Sequence, residues 1–169
     1  RRSSDLGVSA AKGLAWAKEL PCCGVSTLAA MARTSADHHG LVIGAMDARR
    51  QQIYHALFRA EDGRVTRLTT DCAISLEELA SQLRNDPADK LVVGDGAALC
   101  AGYLNGAGIP CRMADESHRM QSAVGVALCA EEMAARGETV TAQALEPVYL
   151  RLSQAERERL ARGLKITLD

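Results

Sequence analysis

Residues 41–71 read LVIGAMDARRQQIYHALFRAEDGRVTRLTTD, and they predict the antiparallel part of a sheet. Its first part, residues 41–46, is a continuous apolar run, which is typical of a central strand covered on both faces. A second strand is predicted over residues 51–60, and the Asp62-Gly63 pair that follows is a strong hairpin signal. Residues 64–71 then complete a predicted antiparallel meander.

Helices alternate with short strands after the meander. The first helix is predicted to begin at the capping box formed by Ser75 and Glu78 and to continue to about residue 84. The later predicted elements are a strand over 91–93, a helix over 95–104, a strand over 109–113 and a helix over 121–136 that ends at Gly137. The resulting βββαβαβα order predicts a mixed sheet of the α/β class, with a ribonuclease H-like or actin-like ATPase (ASKHA) fold.

The residues before the meander indicate part of a second copy of the same unit. A helix over about 5–19, a strand over 22–26 and a helix over 27–33 match the back end of such a copy, and the polar stretch 35–40 is the candidate boundary. We therefore predict a remnant of an N-terminal actin-like lobe over 1–37, a ribonuclease H-like lobe over 38–151 and a C-terminal helical tail over 152–169.

The first predicted helix is unusually rich in small residues. A helix that is apolar nearly all round is buried on more than one side. Glycine inside a helix costs about 1 kcal/mol relative to alanine, so two glycines indicate close approach of another backbone. We expect one side of this helix to pack on the chain's own sheet and the other on a partner. The residues predicted to form the partner interface are Leu6, Gly7, Ala10, Ala11, Gly13 and Leu14.

Composition bounds the class of protein. The chain has 169 residues, of which 47% are hydrophobic and 24% charged, and this balance argues against disorder. Its formal net charge of −1 disfavours a protein that binds nucleic acid on its own. The six cysteines contain no Cys-x-x-Cys pair and are expected to be reduced, apolar side chains in a cytoplasmic protein.

Two acidic residues are the main candidates for chemistry. Asp47 closes the first meander strand and Asp95 closes the fourth strand, and the predicted topology makes these strands neighbours. The two carboxylates therefore meet at one sheet end, where they are able to hold a divalent metal for phosphotransferase or nuclease chemistry. The simpler interpretation is that Asp47 caps its turn and pairs with Arg49 or Arg50, while Asp95 caps the next helix.

Other motifs are weaker. Gly94-Asp95-Gly96 is able to cradle the phosphate of a nucleotide at a helix start, but a plain strand-to-helix turn explains it as well. The adjacent pair His38-His39 lies in the polar break and lacks the spacing of a metal site. The lone residues His55 and His118 are expected to be surface or hydrogen-bonded histidines. We predict no metal site and no catalytic residue.

Five segments, taken together and in order, resemble the bacterial TsaB (YeaZ) family. They are residues 7–15, 21–28, 45–54 and 94–96, and residues 147–151 with 154–156. Two departures stand out. The family's first strands and its glycine-rich Gly-Pro-Gly-Ser-Phe-Thr-Gly stretch have no counterpart, which implies an N-terminally truncated member, and Asp5 stands where the family usually has arginine.

The resemblance implies a role in forming N6-threonylcarbamoyladenosine on tRNA. It implies a non-catalytic subunit that pairs with a TsaD-like subunit carrying the transferase site and is joined by a TsaE-like ATPase. A homodimer is expected in isolation, and contact with tRNA only through the complex. No cofactor is expected on the chain by itself, with ATP and a divalent metal belonging to the assembled complex.

Overall fold

The predicted meander is the centre of the structure, a computed structural model that describes residues 3–150. The helices are α1 (Ser3–Trp16), α2 (Thr27–Arg33), α3 (Leu76–Leu83), α4 (Ala97–Gly106), α5 (Glu116–Arg119) and α6 (Ala123–Ala135). The strands are β1 (Gly40–Asp47), β2 (Gln52–Glu61), β3 (Arg64–Arg67), β4 (Cys72–Ser75), β5 (Lys90–Val93) and β6 (Arg112–Met113).

The strand order confirms the predicted mixed sheet and the ribonuclease H-like or actin-like fold. The strands lie in the order β3-β2-β1-β5-β6, and β4 also pairs with β2. Strand β1 runs antiparallel to β2, with Ala45 opposite His55, and parallel to β5, with Ile43 opposite Val92. The hairpin at Asp62-Gly63 forms as predicted, and both residues have positive φ angles of 50° and 74°.

Each face of the sheet is covered by helices, which is why residues 41–46 are continuously apolar. Ile43 and Ala45 point toward a buried cluster shared with α3 and α4. Val42 points toward a second cluster that includes Phe58 of β2 and Met31 of α2. Helix α6 then packs on α2, so this side of the sheet carries two helical layers.

The third meander strand is interrupted, which corrects the prediction of one strand over 64–71. Strand β3 ends at Arg67 and β4 begins at Cys72, although both pair with β2. The backbone N–H groups of Leu68 and Thr69 both donate to the Leu57 carbonyl, at 2.8 and 3.3 Å. The Leu57 N–H in turn donates to Thr69 Oγ1 at 2.8 Å. These contacts form a bulge that interrupts the ladder.

Helix α1 lies outside the core, so the prediction that one of its sides packs on the chain's own sheet is wrong. Neither buried cluster contains a residue of α1, and Leu14 is 75% exposed. The predicted strand over 22–26 is also wrong, since an isolated bridge between Cys22 and Val140 forms there instead.

Smaller differences concern where elements begin and end. Helix α4 begins at Ala97 rather than at residue 95, β6 is shorter than predicted, and the short helix α5 was not predicted. The predicted tail over 152–169 lies outside the described residues. The division at residue 37 stays a prediction, although α2 packs on the sheet of the second predicted unit. No helix within residues 3–150 has the length and apolar character needed to cross a membrane.

Candidate functional site

Asp47 and Asp95 lie next to each other at the carboxyl edge of the two central parallel strands. The Asp47 backbone N–H donates to Asp95 Oδ1 at 3.2 Å. Asp95 does not cap α4, because the N-cap position is Gly96 and no side chain bonds to the helix start there. The carboxylate of Asp95 therefore joins β5 to the end of β1, and the prediction that it caps the following helix is wrong.

The Asp47 carboxylate holds the β1–β2 turn. Its Oδ1 accepts a 2.7 Å hydrogen bond from the Arg49 backbone N–H, and its Oδ2 lies 3.4 Å from Arg49 Nη1. Arg49, Arg50 and Gln51 have φ angles of 65°, 56° and 60°. A left-handed non-glycine residue costs roughly 1–2 kcal/mol. These contacts match the interpretation of Asp47 as a turn cap that pairs with Arg49.

The described residues gather no metal site around these carboxylates. Between residues 3 and 150, no group of three or more His, Cys, Asp or Glu side chains is placed to hold a metal ion. The glycines of Gly94-Asp95-Gly96 have a packing reason, because a Cβ on Gly96 would lie 2.9 Å from the Asp47 backbone nitrogen. This geometry favours the plain strand-to-helix turn over a phosphate cradle.

Two histidines are buried, which the sequence pattern did not indicate. His38 is 5% exposed, and its Nδ1 lies 3.0 Å from Arg112 Nη2 and 3.9 Å from Asp89 Oδ2. The other ring nitrogen, Nε2, is buried and has no hydrogen-bond partner within the described residues. The adjacent His39 is exposed, so the two rings do not share an environment.

His55 is buried within the sheet, so the prediction of a surface or hydrogen-bonded histidine is wrong. It is 2% exposed, and its Nδ1 has no hydrogen-bond partner in the described part of the chain. Burial lowers the pKa of His55 from its ordinary value of 6.5, and the nearby Asp71 carboxylate partly opposes this shift. The ring is therefore neutral in the folded protein at neutral pH.

The buried ring of His55 predicts a loss of stability in acid. The unfolded chain takes up a proton at about pH 6.5, before the folded chain does, because the folded pKa is lower. The stability that His55 contributes is complete above pH 6.5 and is lost as the pH falls through the folded pKa. Urea denaturation at pH 7 and at pH 5 gives the free energy of unfolding at each pH. We expect this free energy to fall less between the two pH values in His55→Gln than in the wild type.

His39→Gln is the matched control, because His39 is exposed. This variant should follow the wild-type pH dependence. An equally steep fall in His55→Gln and the wild type would show that other groups cause the acid sensitivity.

The exposed side of α1 carries all six predicted interface residues. At 100° per residue they fall within one continuous arc of about 160°. Each of them is exposed, and a Cβ on Gly7 or Gly13 would meet nothing within 4 Å. The opposite side faces the rest of the chain through the half-buried Val8, Lys12 and the buried Ala15. Lys12 Nζ donates to the Gln143 carbonyl at 3.1 Å.

Comparison with known proteins identifies the family. The family model described as "TsaD: tRNA N6-adenosine threonylcarbamoyltransferase" matches residues 5–158. The chain belongs to this family. The curated relatives that it matches are named TsaB, which confirms the resemblance seen in the sequence.

Two of these relatives are "tRNA threonylcarbamoyladenosine biosynthesis protein TsaB" from Escherichia coli strain K12 and from Bacillus subtilis strain 168. The first is 32% identical over 149 residues, covering 86% of this chain and 64% of the relative. The second is 27% identical over 158 residues, covering 89% of this chain and 65% of the relative. The chain therefore spans a little under two thirds of the length of the curated relatives it matches.

Solved structures of the same type share the fold. One is a protein with similarity to peptidase YEAZ from Pseudomonas aeruginosa, with a TM-score of 0.68 and 25% identity, covering 87% of this chain and 67% of that chain. YeaZ from Pseudomonas aeruginosa superposes with a TM-score of 0.66 at 24% identity, covering 86% of this chain and 67% of that one.

Proposed function

We propose that this chain is a TsaB-type partner subunit in the formation of N6-threonylcarbamoyladenosine on tRNA. It pairs with a TsaD-like subunit through α1 and does not catalyse the transfer by itself. The TsaD-like subunit carries the transferase site, and a TsaE-like ATPase joins the pair and uses ATP with a divalent metal. In isolation the same helix face pairs two copies of the chain.

The observation that carries this proposal is the exposed arc of α1. Leu6 is 65% exposed and Leu14 is 75% exposed, which is unfavourable for large apolar side chains in water. The space next to Gly7 and Gly13 is open, so packing within this chain does not explain two glycines in a helix. A partner helix that approaches the glycine backbone and covers both leucines accounts for all of these features.

Residues at the carboxyl edge of the sheet support a partner role over a catalytic one. The Asp47 and Asp95 carboxylates are engaged by backbone N–H groups of the same edge. Their geometry stabilises a turn and a strand junction. The exposed arc of α1 has no such internal explanation.

Gly13→Leu is expected to weaken pairing about 5- to 150-fold. The new side chain fills the space that a partner backbone would occupy, and overpacking of a close helix contact costs about 1–3 kcal/mol. The measurement is co-purification of the tagged chain with the TsaD-like protein of the same organism, with sedimentation velocity for self-association. Circular dichroism should show that the sheet unit stays folded.

Gly102→Leu is the matched control. Gly102 is an exposed glycine of α4, and a Cβ added there would meet nothing within 4 Å, so the same substitution is made on an unrelated surface. We expect this variant to pair normally. If Gly13→Leu pairs as strongly as the wild type, α1 is not the interface. If the wild type does not retain the TsaD-like protein, the proposed partner role is wrong.

A further inference from the structure

A cavity lies on the side of the sheet away from α3 and α4. It has a volume of about 540 Å³, is lined by α2, β3 and the last turns of α6, and opens to solvent on one side. Phe58, Val65 and Met133 contribute apolar lining. Its size falls within the usual range of small-molecule sites, about 300–1,000 Å³. The carboxyl edge with Asp47 and Asp95 is not part of it.

Three arginines from distant parts of the sequence line this cavity. Arg33 ends α2, Arg67 ends β3, and Arg136 follows α6 directly. Arg67 also lies over the Phe58 ring, with its guanidinium carbon 4.8 Å from the ring centre. The cavity lining includes Glu132 and Glu138 as well, and Asp71 pairs with Arg67, so three carboxylates balance the three guanidinium charges.

Each guanidinium is oriented by an acidic partner. Arg33 Nε lies 2.8 Å from Glu132 Oε1, and Arg67 Nη1 pairs with an oxygen of Asp71. The pair between Arg136 and Glu138 is bidentate, at 2.7 and 2.9 Å. The Asp71 carboxylate is itself fixed, because Ser26 Oγ donates to its second oxygen at 2.6 Å.

Donor groups remain on these arginines. In the described part of the chain, Arg33 donates through Nε and Arg67 through Nη1, while Arg136 uses Nε and Nη2. The terminal amino groups of Arg33 and the Nη1 group of Arg136 therefore stay available to a ligand, since a guanidinium has five N–H donors.

The Cys129 thiol lines the same cavity as the three arginines. Burial raises the pKa of this thiol and the Glu132 charge adds to this, whereas Arg33, Arg67 and Arg136 all act in the opposite direction. The thiol is neutral at pH 7 and is not a nucleophile.

We infer that this cavity binds a phosphate group, as inorganic phosphate or a small phosphate monoester. Arginine recognises phosphate through paired N–H donors, and a dianion satisfies several guanidinium groups at once. The apolar lining from Phe58, Val65 and Met133 accommodates the organic part of a monoester. This inference uses a different surface from α1 and does not depend on the proposed function.

The test is isothermal titration calorimetry with inorganic phosphate at constant ionic strength, using chloride as the reference anion. Arg33→Gln removes a donor pair and is expected to weaken phosphate binding about tenfold. Glu138→Gln releases Arg136 from its acidic partner and removes a negative charge, which is expected to strengthen binding about fivefold. Arg49→Gln, outside the cavity, is the matched loss of one arginine and should bind like the wild type.

Opposite effects of the two cavity variants distinguish a binding site from ion pairs that only stabilise the fold. Purely structural ion pairs would lose stability in both variants, and neither variant would gain phosphate affinity. AMP should compete with phosphate, and adenosine should not. Absence of phosphate binding by the folded wild type would overturn the inference. Binding of an RNA dinucleotide without binding of phosphate or AMP would also overturn the inference.

Discussion

Gly94→Ala is expected to destabilise the protein by about 4 kcal/mol or more, a large part of the roughly 5–15 kcal/mol of a typical domain. Gly94 has a φ angle of 110°, which side-chain-bearing residues rarely adopt. A Cβ there would overlap the carbonyl oxygen of Ala45 on the neighbouring strand. That oxygen also accepts a 3.0 Å hydrogen bond from the Gly96 N–H, which the methyl group would displace.

The measurement for Gly94→Ala is urea unfolding followed by circular dichroism. Gly102→Ala is the matched control, because this helical glycine is exposed and its surroundings are open. Alanine is the better helix former by about 1 kcal/mol, so the control should be slightly more stable than the wild type. Wild-type stability of Gly94→Ala would mean that the chain leaves β5 in a different backbone conformation, one that tolerates a side chain.

The sheet was predictable from the sequence because its signals are local and periodic. Each of these signals lies within a few consecutive residues. They are the apolar run at 41–46, the hairpin at Asp62-Gly63 and the cap at Ser75. Ser75 Oγ accepts the Glu78 N–H at 3.1 Å, as the capping-box pattern indicates. The interrupted third strand was not predictable in this way, since the bulge depends on how Thr69 meets Leu57 across the ladder.

The sites depend on contacts between distant segments, which a single sequence does not display. His55 lies in a strand whose side chains point alternately to the two sides of the sheet. No feature of the neighbouring sequence shows that the side of His55 is buried. Arg33, Arg67 and Arg136 are separated by 34 and 69 positions and meet only after α2 and α6 pack together. The small residues of α1 were visible, but their exposure is a property of the folded chain.

Gly125→Ala is the second substitution with a large expected effect, a loss of about 3 kcal/mol. Gly125 is the one buried residue of α6 and lies at its contact with α2. An added Cβ would overlap the Ala30 carbonyl oxygen and lie 3.2 Å from Thr34 Cγ2. A backbone carbonyl cannot rotate away as a side chain does, so α6 has to move outward as a whole.

Amide hydrogen exchange shows which helices and strands lose stability in Gly125→Ala. We expect the amides of α6 to lose protection in Gly125→Ala while those of β1 and β5 keep it, because α2 still covers the sheet. Gly13→Ala makes the same helical substitution in open surroundings and should keep wild-type protection in α6. The outward movement of α6 would also carry Arg136, which follows its last turn, away from Arg33 and Arg67 on the other side of the cavity. Gly125→Ala should therefore weaken phosphate binding as well, and unchanged binding together with lost α6 protection would show that the cavity does not need α6.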